Sequence, residues 1–232
     1  MKTIGMIGGM SWQSSIEYYR LINEILNDRL GGLHSAKIVM VSVDFAEIEI
    51  LQQTGKWTQA TEYLISVALQ VEKAGADFFI ICTNTMHLMA DDVEANTRIP
   101  LLHIADATAE AIRSQNLKSI GLLGTAFTME KDFYKGRLSN KYGLQVIIPN
   151  QAERDIIHRV IYDELVLGII KPSSRKDYLR IINNLMKRGA QGIVLGCTEI
   201  GLLVKKENCR MPIFDTTLIH ASAAVNYSLS DI

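Results

Sequence analysis

Residues 73–83 read KAGADFFIICT, and residues 187–197 read KRGAQGIVLGC. Each stretch leads from the polar end of an amphipathic segment through a glycine into a short apolar run. This order predicts a helix that ends at the glycine and a buried strand that follows it. Because the two stretches share the pattern at an offset of 114 residues, the chain contains the same helix-to-strand unit twice.

Two further pairs of segments match at nearly the same offset and in the same order. The segment IGMIGG at residues 4–9 resembles IGLLGT at residues 120–125, and RIPLLH at residues 98–103 resembles RMPIFD at residues 210–215. A supersecondary unit repeated at a constant spacing indicates a duplicated architecture. The sequence therefore predicts two similar lobes.

Short apolar runs alternate with amphipathic stretches along the whole chain. The predicted strands are residues 3–7, 37–43, 78–82, 119–123, 144–148, 192–195 and 213–214. The predicted helices are residues 14–30, 57–74, 86–95, 104–114, 130–142, 153–167, 174–188 and 216–228. This alternation is typical of α/β folds, whose parallel sheets are flanked by helices. We expect two pseudo-symmetric α/β lobes, the first formed by residues 1–103 and 216–232 and the second by residues 104–215.

Composition and charge exclude several classes of function. The 24 basic and 25 acidic side chains leave a formal charge of −1, so there is no basic surplus for nucleic acid or an anionic membrane. The three cysteines are too few, and odd in number, for a disulfide framework. No apolar run approaches the roughly 20 residues of a membrane span, and the first residues lack a signal-peptide pattern. We expect a cytoplasmic protein that acts on a small molecule.

Polar, reactive side chains follow one predicted strand in each lobe. Residues 83–87 read TNTMH, and residues 197–200 read CTEI. Ligands of open α/β sheets bind beyond the carboxyl ends of the strands, and the repeat makes Thr83 the equivalent of Cys197. We therefore expect an active site in the cleft between the lobes, with these two side chains facing each other.

Two proton-handling groups on opposite sides of a small ligand suit inversion of configuration at carbon. One group removes a proton from one face, and the other delivers a proton to the opposite face. A thiol is a good participant, because its pKa near 8.5 can be lowered at a helix N-terminus. The glycine loops at residues 8–11 and 124–128 offer backbone N–H groups that suit a substrate carboxylate.

At these motifs the chain resembles the aspartate/glutamate racemase family across its whole length, and most of all the bacterial broad-specificity amino-acid racemases. The resemblance is carried by GMIGGMSW at residues 5–12, TNTMH at 83–87, GCTEIG at 196–201, LGGLHSA at 30–36, SVDF at 42–45 and LHIADAT at 102–108. It implies cofactor-independent racemisation without pyridoxal phosphate, with L-aspartate and L-glutamate favoured. It also implies a homodimer.

The first motif departs from the family pattern, which has a cysteine at both catalytic positions. Here Thr83 holds the first position, and Cys82 precedes it. Side chains alternate along a strand, so we expect Cys82 to point into the core, with a substitute acid/base role as the alternative. By resemblance, Cys197 deprotonates the L-enantiomer and Thr83 protonates the other face. Because a threonine is a poor base, we expect unequal turnover in the two directions.

Further residues beside these motifs are predicted to contact the substrate. They are Met10, Gln52, Asn84, Thr85, Thr125, Thr128, Thr198 and Glu199. Turn or helix-capping chemistry is the alternative for the hydroxyl and amide side chains among them. Residues 163–168 read DELVLG and lack the Arg or Lys that the family often carries for a distal carboxylate. Neutral amino acids therefore stay open as substrates.

Metal and nucleotide cofactors are not predicted. The histidines at positions 87, 103, 158 and 220 do not have metal-ligand spacing. Residues 5–9 read GMIGG, which is not the dinucleotide-binding fingerprint. We expect neither a metal nor a cofactor.

Two alternative functions fit the same sequence. A related isomerase or decarboxylase of the superfamily, of the maleate isomerase or arylmalonate decarboxylase type, would use a single cysteine. A non-catalytic amino-acid-binding protein is the second alternative, because one of the two thiols is missing. Exchange of the α-proton of an amino acid with solvent distinguishes the racemase from both.

Overall fold

A computed structural model of the chain describes residues 1–230. The chain divides into two compact units. The first comprises Met1–Ile104 and the chain from His220 onward, and the second comprises Ala105–Ile219. Residue 104 and residues 216–219 thus belong to the opposite unit from the one expected from the sequence. The last helix, Thr216–Ser228, begins in the second unit and ends in the first.

The first unit contains a three-stranded parallel sheet. Its strands are β1 (Ile4–Gly8), β2 (Ile38–Ser42) and β3 (Phe78–Ile81), in the order β2-β1-β3. Phe79 of β3 also makes a parallel bridge to Leu101. The helices within this unit are α1 (Trp12–Leu30), α2 (Phe45–Gln53), α3 (Trp57–Lys73) and α4 (Ala90–Ala95), with a 3₁₀ turn at Thr85–Met89.

The second unit contains a four-stranded parallel sheet. Its strands are β4 (Ser119–Gly124), β5 (Gln145–Ile147), β6 (Ile193–Gly196) and β7 (Ile213–Asp215), in the order β5-β4-β6-β7. The remaining helices are α5 (Ile104–Ser114), α6 (Ala126–Glu130), α7 (Asp132–Gly136), α8 (Gln151–Asp163), α9 (Pro172–Lys187), α10 (Ile200–Leu203) and α11 (Thr216–Ser228). A π-helical segment occupies Arg137–Lys141, and 3₁₀ turns occupy Leu165–Leu167 and Lys206–Asn208.

The two sheets have the same topology, as the sequence repeat predicts. In each unit the first strand is central, the second strand lies on one side of it, and the third lies on the other. The parallel bridge at Leu101 takes the place that β7 takes in the second sheet. Every predicted strand lies within one residue of its observed bounds at each end. The predicted α/β fold class, with two parallel sheets flanked by helices, is confirmed.

Matching glycines let a helix approach the central strand of each sheet. A Cβ atom on Gly5 of β1 would lie 2.3 Å from Cγ1 of Val71 in α3. A Cβ atom on Gly121 of β4 would lie 2.7 Å from Cδ1 of Ile193 and 2.9 Å from Cδ1 of Leu185 in α9. These distances are shorter than van der Waals contact, so the packing of α3 and α9 depends on glycine at both positions.

Several helical segments differ from the prediction. Helix α10 was not predicted, and α8 ends at Asp163 instead of residue 167. Helix α2 was not predicted; it begins after Asp44, whose carboxylate accepts a hydrogen bond from the N–H of Ala46 at 3.0 Å. The predicted helix at residues 130–142 is divided, because Lys131 adopts an extended conformation between α6 and α7. Within residues 1–230, none of the helices combines the length and the apolar character needed to cross a bilayer.

Candidate active site

The loops at the carboxyl edge of the first sheet are bonded to one another. Ser14 Oγ donates a hydrogen bond of 2.7 Å to the carbonyl of Cys82, which joins the start of α1 to the end of β3. The N–H of Gly9 donates to Ser15 Oγ at 2.8 Å. Gly9 has φ +94°, and a Cβ atom there would lie 2.2 Å from the carbonyl oxygen of Val43. The loop after β1 therefore requires glycine and packs against the chain that leaves β2.

Thr83 is the first residue after β3 whose side chain is partly exposed. The two residues that follow, Asn84 and Thr85, are buried, and the 3₁₀ turn begins at Thr85. The backbone turns away from the sheet at this point, since the N–H of His87 donates to the carbonyl of Asn84 at 3.1 Å. The structure thus brings Thr83, Asn84 and Thr85 together in one tight turn at the carboxyl end of β3.

Cys82 lies in the hydrophobic core of the first unit, as predicted. Its side chain is buried in one cluster with Ile4, Met6 and Phe78. Burial raises the pKa of the Cys82 thiol far above its usual range. The thiol is therefore protonated at neutral pH, and its position fits packing rather than proton transfer.

Met10 and Gln52 lie beside this turn in the same unit. The amide of Gln52, on α2, is buried and lies 3.7 Å from the sulfur of Met86. The side chain of Met10 is buried in the cluster that also contains Met86. Helix α2, which the sequence pattern did not reveal, is the element that brings Gln52 to the turn.

At the carboxyl end of β6, two side chains share one buried carboxylate. The thiol of Cys197 donates a hydrogen bond to Oε2 of Glu199 at 3.1 Å. The hydroxyl of Thr198 donates to the same oxygen at 2.5 Å. Both Cys197 and Glu199 are less than a tenth exposed, so the carboxylate is removed from bulk water and held against the thiol.

The electrostatics of Cys197 differ from the sequence-based expectation. Burial raises the pKa of the Cys197 thiol well above its usual range, and the charge of Glu199 and its hydrogen bond raise that pKa further. The backbone N–H groups of Glu199 and Ile200 act in the opposite direction but are outweighed. The lowering of the thiol pKa that a helix N-terminus can produce is outweighed here, because α10 has only four residues and the site is desolvated.

Thr125 and Thr128 make the helix-capping interactions that were predicted as the alternative to substrate contact. The N–H of Thr128 donates to Oγ1 of Thr125 at 3.3 Å, and the two hydroxyls lie 3.2 Å apart. Thr128 is fully buried against Gly124 and Gly196, with its Cγ2 atom 3.1 Å from the position of a Cβ on either glycine. Thr128 therefore packs beneath the loop, and Thr125 caps α6.

His158 also supports this loop, a role that the sequence analysis did not assign. The N–H of Ala126 donates to Nδ1 of His158 at 3.2 Å. The His158 ring also packs against those of Phe127 and Tyr162. A histidine seven residues into α8 gives no local sequence signal for this contact, since the contact joins positions 32 residues apart.

The predicted site residues fall into two groups, one in each unit. The first unit holds Met10, Gln52, Thr83, Asn84 and Thr85, and the second holds Thr125, Thr128, Cys197, Thr198 and Glu199. Each group lies at or beside the carboxyl edge of its own sheet. Across residues 1–230, no cluster of three or more His, Cys, Asp or Glu side chains is arranged to hold a metal ion.

Comparison with known proteins places this pair of motifs in a family. The sequence profile described as Asp/Glu/hydantoin racemase matches residues 7–224, a span that includes both motifs. The chain belongs to this family. Its members' type of reaction makes the protein an isomerase of the racemase class, and the resemblance inferred from the motifs is confirmed.

Individual relatives of this racemase cover most or all of its length. The broad specificity amino-acid racemase RacX of Bacillus subtilis is 24% identical over 170 residues, which are 72% of this chain and 71% of RacX. The crystal structure of a candidate Asp/Glu racemase from Yersinia pestis is 55% identical, with a TM-score of 0.93 over 99% of this chain and 100% of that one. An aspartate racemase homologue from Pyrococcus horikoshii is 33% identical, with a TM-score of 0.86 over 98% and 99% of the two chains.

Proposed function

We propose that the protein is a cofactor-independent amino-acid racemase that favours L-aspartate and L-glutamate, with Cys197 and Thr83 as its two proton-handling groups. The observation that carries the proposal is the buried hydrogen bond from the Cys197 thiol to Glu199 at the carboxyl end of β6. Thr83 occupies the equivalent position after β3 in the first unit. The aspartate racemase homologue and RacX support the choice of amino-acid substrates.

A buried thiol is a poor base until it loses its proton, and Glu199 is the group that accepts this proton. On substrate binding, the thiol proton moves to Oε2 of Glu199, which leaves a thiolate next to a neutral carboxyl group. The thiolate then removes the α-proton of the L-substrate, and the C–H electron pair remains on the α-carbon and its carboxylate. Donor groups in the loops stabilise this charge as it develops.

Thr83 completes the inversion by donating its hydroxyl proton to the opposite face of the α-carbon. The protonated Glu199 returns a proton to solvent, and the threonine alkoxide regains one, so the protons balance over one turnover. The reverse reaction requires the threonine alkoxide as the base. Since an unassisted alkoxide is far less accessible than a thiolate, we infer that turnover of D-substrate is slower at saturation.

The asymmetry must respect the equilibrium constant of racemisation, which is one. The ratio kcat/KM is therefore the same for both enantiomers, and a lower kcat for the D-enantiomer is matched by a lower KM. Substrate contacts in this proposal come from Met10, Asn84 and Thr85 in the first unit, and from Thr198 in the second. Gln52 lies beside the first three and adds an amide group.

Proton NMR in D₂O tests the proposal directly. L-aspartate, L-glutamate and several neutral amino acids are incubated with protein that has been dialysed against a carbonyl reagent to remove pyridoxal phosphate. Loss of the α-proton signal and appearance of D-enantiomer are expected for the acidic substrates, and both should be lost in Cys197→Ser. Binding without α-proton exchange would instead favour a non-catalytic binding protein. Conversion of maleate or an arylmalonate without exchange would favour the single-cysteine alternatives.

A further inference from the structure

We propose that His87 is a positioning residue that fixes the Thr83 peptide and so aims the Thr83 hydroxyl at the substrate. The inference rests on the proposed function, because it assigns His87 to one of the two proton transfers. His87 lies one helical turn after Thr83 and is buried. It acts through the backbone of Thr83 and does not itself touch the reacting atoms.

The hydrogen bonds of His87 define its tautomer. Its Nδ1 atom lies 2.9 Å from the carbonyl oxygen of Thr83. Its Nε2 atom accepts a hydrogen bond from the N–H of Ile104 at 3.3 Å. A carbonyl oxygen can only accept, so the proton of the neutral ring is on Nδ1. Both ring nitrogens are thus committed to backbone groups, and the ring ties the turn after β3 to the start of α5.

A second buried histidine bonds to the same stretch of backbone. Nε2 of His220, on α11, donates to the carbonyl of Leu102 at 2.7 Å, and Nδ1 of His220 accepts from the hydroxyl of Tyr18 at 2.9 Å. Burial lowers the pKa of His220 to about 4, so this ring is neutral at physiological pH. The segment from Leu102 to Ile104 is therefore hydrogen-bonded to two histidines of defined tautomer.

The histidines also contact one another, which restricts the orientation of His87. The ring centroid of His87 lies 4.6 Å from that of His103 and 5.8 Å from that of His220. All three rings are buried. A ring held by two hydrogen bonds and packed against two neighbouring rings has little freedom to move, so the Thr83 carbonyl bonded to it is held as well.

This arrangement fits positioning better than proton relay. A relay histidine must exchange a proton with its neighbours, whereas the two ring nitrogens of His87 hydrogen-bond to an amide carbonyl and an amide N–H, which do not titrate. The turn that carries Thr83 also lacks the regularity of an α-helix. Its geometry therefore depends on such side-chain contacts, and a shift of about 1 Å in a proton donor can cost about a hundredfold in rate.

The test separates the two proton transfers by isotope. In D₂O, deuterium that enters L-substrate with retention reports the Cys197 face, and deuterium in the D-enantiomer reports delivery by Thr83. His87→Ala should lower the inversion-to-retention ratio by about a hundredfold, with washout from the L-substrate close to wild type. Asparagine keeps a donor near the Nδ1 position, so His87→Asn should recover most of the ratio. Glutamine keeps an acceptor near Nε2, so His87→Gln should recover little.

The exposed histidine at position 34 provides the matched control, since His34→Ala removes an imidazole from the segment that precedes β2, whereas the turn follows β3, and should leave the ratio unchanged. A purely structural role for His87 predicts that retention and inversion fall together and that Asn is no better than Ala, which would overturn the assignment. If wild type shows neither exchange nor inversion, the proposed function fails and the positioning role falls with it. If the wild-type protein shows both exchange and inversion, the proposed function stands, and the His87 variants alone test the positioning role.

Discussion

The Sγ atom of Cys197 lies 3.1 Å from Oε2 of Glu199, and both groups are buried. A carboxylate at this distance keeps the Cys197 thiol protonated, because a thiolate would place two negative charges side by side in a desolvated site. The same oxygen accepts the hydrogen bond of the thiol, so the turn after β6 supplies a proton acceptor in direct contact with it. In the proposed mechanism, the thiol therefore stays protonated until Glu199 takes its proton, and only then is the base formed.

Replacement of Glu199 tests this double role. Glu199→Gln removes the negative charge, so the pKa of the Cys197 thiol should fall, while the loss of the acceptor should lower kcat for L-substrate by about a hundredfold. Alkylation of Cys197 by iodoacetamide, followed against pH by peptide mass spectrometry, measures the first effect. A Glu199→Gln enzyme with wild-type kcat would show that the carboxylate is not the proton acceptor.

A thiol at position 83 should make the kcat values for the L- and D-enantiomers more nearly equal. In Thr83→Cys, a second thiol can act as the base for the D-enantiomer, so kcat for D-substrate should rise towards that for L-substrate. Turnover of each pure enantiomer, followed by chiral chromatography, gives the two values. Equal kcat values in the wild-type enzyme would remove the basis for the asymmetry.

Cys82 should be dispensable for chemistry. Cys82→Ala should leave α-proton exchange within a factor of about two of wild type and reduce stability by about 1 kcal/mol, because it deletes a buried sulfur atom from a packed cluster. NMR exchange and urea unfolding measure the two effects. The opposite pattern, in which Cys82→Ala abolishes exchange and Thr83→Ala does not, would mean that the catalytic position is misassigned.

The close approach of α3 to β1 predicts a specific pair of variants. Gly5→Ala places a methyl group against Val71 and should destabilise the protein by about 1 to 3 kcal/mol through overpacking. Val71→Ala in the same chain removes the atom in conflict and should recover part of the loss. Urea denaturation of both single variants and the double variant measures the coupling, and strict additivity would argue against a direct clash.

His220 predicts a loss of stability in mild acid. Burial lowers the folded-state pKa of His220 to about 4, below the ordinary value of 6.5. The unfolded chain therefore binds a proton that the folded chain rejects. The neutral His220 thus contributes about 3 kcal/mol to the free energy of unfolding. This contribution is complete above pH 6.5 and is lost as the pH falls towards 4. Burial also lowers the pKa of His158, which acts in the same direction.

Denaturant titrations at a series of pH values measure this effect. His220→Gln keeps a donor near the position of Nε2 and does not titrate, so its stability should depend less steeply on pH between 6.5 and 4. His34→Ala, at an exposed position, should keep the wild-type slope. If the wild-type and His220→Gln slopes coincide, the buried imidazole is not the group responsible.

Sequence patterns predicted the strands well because each is a short apolar run, and the repeat presents two of these runs twice, at β1 and β4 and at β3 and β6. They missed α2, in which only Ile48 and Gln52 are buried and the apolar spacing is weak. They also did not show that burial and Glu199 raise the pKa of Cys197. That quantity depends on the side-chain conformation of Glu199 and on desolvation by residues from elsewhere in the sequence, neither of which a linear motif encodes.

The division of the chain has a consequence for how the protein is made. Residues 105–219 form the second unit as one continuous segment, so its whole sequence has been synthesised before residue 220 is added. The first unit buries Ala221, Ala224 and Val225 of α11 in the same cluster as Ile4 and Met6. During translation, the core of the first unit can therefore be completed only after α11 has been made. The second unit can close its core earlier.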